Sequence, residues 1–385
     1  MEYDDIIVGG GSAGAVLAAR LSEEAGRRVL LLEAGPDYAT LDSTPDDLRD
    51  SWRMSLRGHD WGLTAEALPG RVIPYPRGRV IGGSSAVNAA IALRGVPADY
   101  DQWAALGNEE WTWATVLPFF RRLEDDPDGE AGLHGRGGPI AIRRWQPDEL
   151  IPIQRAFFQV CRRLGFPEVA DHNHPEATGV GPFPQNRRGR LRLSTAIAYL
   201  LPARDRPNLT IRPHCLVNRV LFTGDRAVGV EFGVADERGE VRGRRVTLAA
   251  GAIGSPAILL RSGIGAGSAL AELGIEPVAD LPGVGAGLTD HPVARLLLVV
   301  LSRQVGDAAG GWFAVECGVA AVVIVGVKPV GECCCAGGVA GVGLGVGPFL
   351  EQGAVEPFDF AVGLRPIGPG PFVCDRFAEG VGEHV

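Results

Sequence analysis

Glycines near the start of the chain, followed by one acidic residue, have the types and spacing that suit dinucleotide binding. The run Gly9-Gly-Gly11-Ser-Ala-Gly14 fits the pattern G-x-G-x-x-G. In that pattern the first glycine permits a tight turn, the second lets the backbone approach a pyrophosphate, and the third lets a helix pack closely on a strand. Glu33 follows about 20 residues later, where an acid accepts a hydrogen bond from an adenosine ribose hydroxyl. The predicted site comprises Gly9, Gly11, Ser12, Ala13, Gly14, Glu33 and Ala34.

A strand, a helix and a second strand must position these residues. Asp5–Gly9 is a short apolar run, Ser12–Ala25 is rich in small residues, and Arg28–Glu33 is again apolar, which together predict β-α-β. The helix N-terminus then offers free N–H groups and a positive dipole end to phosphates. An acid at the end of the second strand favours FAD or NAD over NADP, since it repels a 2′-phosphate. The motif alone leaves FAD and NAD open.

Two longer segments resemble signatures of the glucose–methanol–choline flavoprotein family. Gly78-Arg-Val-Ile-Gly-Gly-Ser-Ser-Ala-Val-Asn-Ala-Ala-Ile-Ala92 resembles the first signature, and Gly251-Ala-Ile-Gly-Ser-Pro-Ala-Ile-Leu-Leu-Arg-Ser-Gly-Ile-Gly265 is similar to the second. Shorter pieces that look like the family follow in the same order: Ala98–Trp103, Trp111–Trp113, Arg206–Leu209, Leu281–Gly285 and Asp290-His291. The resemblance covers roughly residues 1–300 and implies FAD as the cofactor.

The resemblance also implies further cofactor contacts. It places Val80, Gly83, Ser84, Asn88, Ala89, Ala90 and Ile91 along the cofactor, and it has Val217 hold the adenine through its backbone. The residue types suit this, because glycines and hydroxyls at 82–85 allow close backbone approach and hydrogen bonding. The alternative is that Ser84, Ser85 and Asn88 only cap a helix. Some family members bind FAD covalently through a histidine just before the asparagine; Val87 stands there in this chain, so we expect non-covalent FAD.

The implied activity is oxidation of an alcohol, with hydride passing to flavin N5 while a base takes the hydroxyl proton. In the family that base is a histidine in a C-terminal motif. The seven histidines are His59, His134, His172, His174, His214, His291 and His384. None lies in a similar sequence, so we expect the catalytic segment to be absent and assign no catalytic residue. An active alcohol dehydrogenase or oxidase and an inactive FAD-binding remnant both remain open, whereas the flavin signatures disfavour a nicotinamide dehydrogenase.

The predicted partner is a small-molecule alcohol, either choline-like or a larger aliphatic one, and the electron acceptor stays unassigned. Asp171-His-Asn-His174 has metal-like spacing but is more typical of a turn, so we predict no metal site. Three further interpretations concern packing. We expect Arg187–Arg192 to be a solvated face, Cys161 and Cys215 to be buried, and five tryptophans to pack in the core. These are Trp52, Trp61, Trp103, Trp111 and Trp113.

The predicted fold class is α/β, a Rossmann-like FAD-binding domain with an inserted or associated α+β substrate domain that is incomplete. Residues 1–95 and 195–300 would form the FAD-binding domain, and 96–194 the substrate side. Residues 301–385 form a Gly/Val/Ala/Cys-rich tail whose local patterns specify no packed element, so we expect it not to be native family sequence.

Composition excludes some classes of protein. A net charge of −9 and a pI near 5.4 argue against nucleic-acid binding. The acidic start, Met1–Asp5, lacks the basic region of a secretory signal. The apolar stretch Ala314–Val330 contains Glu316 and falls short of the roughly 20 residues that a membrane span needs. We therefore expect a cytoplasmic protein without a transmembrane segment.

Overall fold

The computed structural model describes residues 2–55, 57–235, 237–288 and 290, and the backbone of two strands at 295–302 and 317–324. The chain divides into two compact units, with a boundary between Leu288 and Thr289. Beyond that point, Arg295–Ser302 and Cys317–Ile324 form an antiparallel pair in a unit of their own. The rest of the predicted tail and His291 lie outside the described residues.

Nine α-helices lie in the described residues: α1 Ser12–Leu21, α2 Asp46–Arg49, α3 Ser84–Val87, α4 Pro97–Ala105, α5 Trp113–Leu123, α6 Pro152–Arg163, α7 Leu201–Ala203, α8 Gly251–Arg261 and α9 Gly267–Glu272. A 3₁₀-helix spans Glu109–Trp111, and a π-helix spans Ala196–Leu200. The strands are β1 Tyr3–Val8, β2 Val29–Leu32, β3 Thr64–Leu68, β4 Arg71–Pro74, β5 Glu124–Asp125, β6 Ile140–Arg144, β7 Pro184–Arg188, β8 Leu191–Arg192, β9 Leu209–Arg212, β10 Leu216–Thr223, β11 Arg226–Val234, β12 Glu237–Leu248, β13 Ile264–Gly265, β14 Ala279–Asp280, β15 Arg295–Ser302 and β16 Cys317–Ile324.

A six-stranded sheet in the order β10-β11-β12-β1-β2-β9 organises the first unit. Strands β12, β1, β2 and β9 are parallel, while β10, β11 and the first half of β12 form an antiparallel meander. The long strand β12 therefore joins the two parts. This mixed sheet with helices confirms the predicted α/β class.

The parallel strands are buried on both faces because successive side chains alternate between two hydrophobic clusters. Ile7, Val29 and Leu31 pack with the small residues of α1 and with Leu200. Ile6, Leu30 and Leu32 pack on the opposite face with Val230 and Phe232. The apolar runs read from the sequence are thus strands that are buried on both faces of the sheet. Helix α1 covers the face that carries Ile7, Val29 and Leu31.

A second sheet of four strands, β5-β6-β7-β8, lies between the first and later parts of the six-stranded sheet in sequence. Strands β5 and β6 are parallel, and the remaining pairs are antiparallel. The domain boundaries predicted at residues 95 and 194 remain predictions. Among the described helices, none is both long and apolar enough to cross a membrane.

Three elements have bounds that the apolar runs alone do not specify. Helix α8 begins at Gly251, and the Ser255 hydroxyl in its second turn accepts a hydrogen bond from the N–H of Ala250, just before the helix. Helix α1 ends at Leu21 rather than Ala25. Strand β12 begins at Glu237, and its charged first half pairs with β11.

The packing predictions for the tryptophans and arginines are partly wrong. None of the five tryptophans is buried; Trp103 and Trp111 are about half exposed and meet edge to face, with ring centroids 5.7 Å apart. Within the supposed solvated face, Arg187 and Arg192 are buried. Cys161 and Cys215 are buried, as expected.

Candidate functional site

The turn between β1 and α1 is shaped by two glycines that the protein's own packing requires. Gly9 has φ +97°, and a Cβ there would lie 2.6 Å from the carbonyl oxygen of Ala249. A Cβ on Gly14 would lie 1.9 Å from the carbonyl oxygen of Gly9. A side chain at either position would collide with backbone, so α1 approaches β1 this closely only with glycine.

Gly11 differs, because no neighbouring atom requires it to be glycine. Its φ is an ordinary −78°, and a Cβ would meet only Gly83 Cα, at 3.7 Å. The first helical bond runs from the Ala15 N–H to the Gly11 carbonyl (3.0 Å), and no side chain caps the helix. Ser12 and Ala13 are exposed, and the first turn carries no acid. The open space and the free N–H donors therefore suit a phosphate group.

Glu33 lies beside this turn, at the end of β2. Its Oε2 accepts from the Gly10 N–H (2.7 Å), and its Oε1 accepts from the Gly35 N–H (2.8 Å). Burial raises the pKa of Glu33, and the backbone hydrogen bonds offset this in part. Each carboxylate oxygen keeps a second lone pair for a ribose hydroxyl. Ala34, between these contacts, is half-buried.

Strand β10 reaches the same place from much later in the chain. The Cys215 N–H donates to the Glu33 carbonyl (2.8 Å), two residues before Val217. The Val217 side chain is buried in the core, and its carbonyl accepts from Arg261 Nη2 at 3.5 Å. The structure thus joins the residue before β10 to the backbone of Glu33, and the contact of Val217 with an adenine stays a prediction.

The segment from 78 to 91 packs directly on the glycine turn. The Gly82 N–H donates to the Gly10 carbonyl (2.8 Å). Gly83 has φ +51°, and a Cβ on it would lie 2.6 Å from Gly11 Cα. Two motifs about seventy residues apart in the sequence are therefore brought into backbone contact, with Gly11 and Gly83 facing each other.

Hydroxyl groups hold this contact in place. Ser85 Oγ donates to the Gly82 carbonyl (2.6 Å) and accepts from the Thr195 N–H (3.1 Å). The Thr195 hydroxyl donates to the Gly11 carbonyl at 3.4 Å. Ser84 is exposed, and its Oγ accepts from the Gly78 N–H (3.2 Å). No side chain caps α3, so the capping interpretation of these residues is not supported.

The residues from Asn88 to Ile91, which follow α3, differ in burial. Asn88 is exposed, Ala89 and Ile91 are half-buried, and Ala90 is buried with φ +58°. Asn88 Oδ1 accepts from the Ala90 N–H (2.9 Å), which stabilises this unusual backbone. Val80, by contrast, has its side chain in the small core formed with Leu48, Ala86 and Val87, so only its backbone is available to a ligand.

Sequence reasoning missed a buried ionic cluster among residues 94–171. We call it the His134 cluster; it comprises Arg94, Glu124, Asp126, His134, Arg144 and Asp171. His134 Nδ1 lies 3.0 Å from Glu124 Oε1 and 2.9 Å from Asp126 Oδ2. Three carboxylates face two guanidiniums and one imidazole, so the charges balance when His134 is protonated.

The electrostatics of the His134 cluster favour that state. Burial by itself lowers the pKa of His134, but its bonds to three carboxylates raise the value to about 10. Burial of Asp126 is outweighed by its bonds to His134 and Arg144, which hold the pKa of that carboxyl far below its usual range. Glu124, Asp126 and His134 are close enough to bind a metal ion. Guanidinium and imidazolium donors already occupy the carboxylates, so the cluster is better described as an ion network.

The remaining described histidines are dispersed. His59 Nε2 lies 2.9 Å from the Tyr38 hydroxyl. His172 Nε2 contacts the Gly181 carbonyl at 3.1 Å, while His174 Nδ1 accepts from the Glu176 N–H at 3.2 Å. These two residues make separate local bonds in a turn, as the sequence predicted.

Comparison with known proteins gives the family. Residues 3–293 match the family described as GMC oxidoreductase. An oxygen-dependent choline dehydrogenase of Brucella anthropi is 41% identical over 296 residues, which are 76% of this chain and 53% of that protein.

Two solved structures are also similar. The pyridoxine 4-oxidase from Mesorbium loti superposes with a TM-score of 0.72 at 39% identity, covering 78% of this chain and 59% of that one. An FAD-dependent oxidoreductase from Chaetomium thermophilum gives a TM-score of 0.72 at 33% identity, covering 78% and 54%. The chain thus spans between half and three-fifths of the length of these relatives. The fold, the two motifs and these matches agree: the chain belongs to the GMC oxidoreductase family.

Proposed function

We propose that this chain binds FAD non-covalently and serves the oxidation of a CH–OH group in a small alcohol. The contact between Gly11 and Gly83 is the observation that carries the proposal. It brings the dinucleotide turn and the second glycine segment to one space, which the protein's own atoms leave open at Gly11. Contacts within the protein explain why residues 9 and 14 are glycines, but they do not explain Gly11. A ligand that approaches the backbone at Gly11 would explain it.

In this proposal each predicted residue has a physical role. The N–H groups of Ser12, Ala13 and Gly14 bind the pyrophosphate. The Glu33 carboxylate accepts a hydrogen bond from a ribose hydroxyl. Val217 contributes its backbone from strand β10. The segment from Asn88 to Ile91 lies along the flavin, with Gly83 and Ser84 at its start.

Non-covalent binding is supported by the residue before Asn88. Val87 has no nucleophilic atom, and its side chain is buried with Leu48 and Val80. It therefore offers no attachment point, and we expect the flavin to be released when the protein is denatured.

Bound FAD would supply the hydride acceptor, N5 of its flavin ring. The chain must then provide a base for the hydroxyl proton. His134 does not serve, because its pKa is raised to about 10 and both ring nitrogens are bound by carboxylates. We assign no catalytic residue among the described ones. A chain that binds FAD without turnover is the second candidate, and the state of His134 favours it.

The visible spectrum of the purified chain tests both candidates. The protein is supplemented with FAD, desalted, and mixed anaerobically with choline or with pyridoxine, the alcohols suggested by the names of its relatives. Retained flavin absorbance that bleaches with an alcohol supports the enzyme. Retained absorbance that does not bleach supports binding alone, and absorbance that is lost on desalting contradicts both.

A matched pair of variants assigns any bound flavin to this site. Gly11→Ala places a methyl group in the open space, and its backbone angles suit alanine. We expect FAD affinity to fall at least tenfold while the melting temperature of the apoprotein stays the same. Gly26→Ala is the control, because a Cβ there meets nothing within 4 Å. Equal FAD binding by both variants would place the cofactor elsewhere.

A further inference from the structure

Arg192 is a fully buried cation whose direct partners are all neutral. Its Nε donates to the Leu48 carbonyl (3.1 Å), and its Nη2 donates to the carbonyls of Asp50 (3.0 Å) and Arg53. Its Nη1 donates to the Asn88 carbonyl and to Asn88 Oδ1 (3.2 Å). The guanidinium thus joins strand β8 to the segment at 48–53 and to the end of α3.

Other buried arginines in the described part of the chain have a counter-ion. Arg144 binds Asp126 at 2.8 Å and Asp171 at 2.6 Å, and Arg187 lies 3.5 Å from Glu149. For Arg192, no ion pair within 4.0 Å is present among the described residues. Burying a charge without a direct ion pair costs several kcal/mol, and the carboxylates of Asp50 and Asp47 offset the burial of Arg192 only in part. Burial lowers the pKa of Arg192 to about 10, so it remains protonated at neutral pH.

Asn88 links this charge to the surface of the protein. Its Oδ1 accepts from both Arg192 Nη1 and the Ala90 N–H, and two donors fix which end of the amide is oxygen. Asn88 is exposed, and its amide Nδ2 has no hydrogen-bond partner among the residues that the structure describes. Arg192 therefore leaves the amide donor of Asn88 free for a ligand.

We propose that Arg192 is a positioning residue for the flavin: it orients the amide of Asn88 and places a fixed positive charge behind the flavin-lining segment. The inference rests on the proposed function. A flavin ring that accepts a hydride gains one negative charge, and a buried cation nearby favours that reduced state. Arg192 should therefore raise both FAD affinity and the midpoint potential of the bound flavin.

Arg192→Gln removes the charge, and Arg190→Gln is its matched control. Arg190 lies two residues away, is exposed and pairs with Asp50. We expect Arg192→Gln to weaken FAD binding at least tenfold. Its midpoint potential should fall by about 30 mV or more, which corresponds to a tenfold change for a two-electron couple. Arg190→Gln should change FAD affinity by less than twofold, and it should shift the midpoint potential by less than the corresponding amount.

Arg192→Lys keeps the test decisive if the glutamine variant does not fold. A lysine retains the charge but not the planar fork of donors. We expect the midpoint potential of the flavin in Arg192→Lys to shift by less than the amount that corresponds to a twofold change in equilibrium constant, while FAD affinity falls. A midpoint potential that falls in Arg192→Lys as far as in Arg192→Gln, or that is unchanged in both, would overturn the electrostatic role.

A double-variant cycle tests whether Arg192 acts through Asn88. If it does, Asn88→Ala combined with Arg192→Gln should weaken FAD binding no more than the worse single variant. Additive losses would overturn the positioning role. A wild-type chain that holds no flavin would overturn the proposed function and this inference together, whereas a flavin-binding wild type with an unchanged Arg192→Gln would overturn this inference alone.

Discussion

His134 Nε2 lies 2.7 Å from Asp171 Oδ2, and this single contact ties a loop after α5 to a loop after α6. The opposite ring nitrogen faces Glu124 and Asp126. The imidazole is almost fully buried, so it bridges carboxylates from separate segments in an environment with little water. His134 therefore joins these segments.

Replacing His134 should destabilise the folded chain strongly. In His134→Gln, three buried carboxylates would face only two guanidiniums, and breaking a buried ion pair costs about 3–5 kcal/mol. Urea unfolding followed by circular dichroism measures this loss.

The matched control is His174→Gln. His174 is exposed and lies 4.0 Å from an exposed Glu130, so its replacement should change stability by less than about 0.5 kcal/mol. Similar losses in the two variants would show that the His134 cluster contributes no net stability.

The pH dependence of stability follows from the same cluster. The pKa of His134 is raised from 6.5 to about 10 on folding, so its contribution is full below about pH 6.5 and is lost as the pH rises toward 10. The pKa values of Asp126 and Asp171 are lowered on folding, so their contribution is present above about pH 4 and is lost on acidification. The melting temperature should therefore decline both at alkaline and at acidic pH. His134→Gln should reduce the decline at alkaline pH specifically.

The parts of the site that depend on local pattern could be predicted from the sequence. Gly9, Gly14 and Glu33 lie within one β-α-β unit, where the spacing of glycines and apolar runs specifies the turn, the helix packing and the position of the acid. The order β1, α1, β2 could be predicted for the same reason. The domain boundaries and the ligand contacts of these residues stay predictions.

The parts that depend on distant contacts could not be predicted. Ser85 and Thr195 are 110 residues apart, and Asn88 and Arg192 are 104 apart. An arginine in a run of arginines is usually solvated, and nothing in the run itself marks Arg192 as the buried one. His134 likewise stands in a glycine-rich loop, and only the fold brings its three carboxylates to it.

Gly14 should be required for folding itself, in contrast to Gly11. Gly14→Ala puts a Cβ 1.9 Å from the Gly9 carbonyl oxygen, which forces α1 away from β1. Overpacking of this kind costs about 1–3 kcal/mol, and the loss should appear in the apoprotein. Thermal unfolding without FAD measures it, with Gly26→Ala as a control that should match wild type. An apoprotein of Gly14→Ala that melts with wild type would mean that α1 does not approach β1 this closely.

Glu33 should serve both the turn and the cofactor. Glu33→Ala leaves the N–H groups of Gly10 and Gly35 without their acceptor, and each unsatisfied buried donor costs about 1–3 kcal/mol. FAD affinity should fall at least tenfold as well, because the ribose hydroxyl loses its acceptor. Urea unfolding and titration of flavin fluorescence measure the two effects, and Glu23→Ala, which removes only an exposed pair with Arg20, should leave both unchanged. A Glu33→Ala protein that is less stable yet binds FAD as tightly as wild type would assign Glu33 to the turn alone.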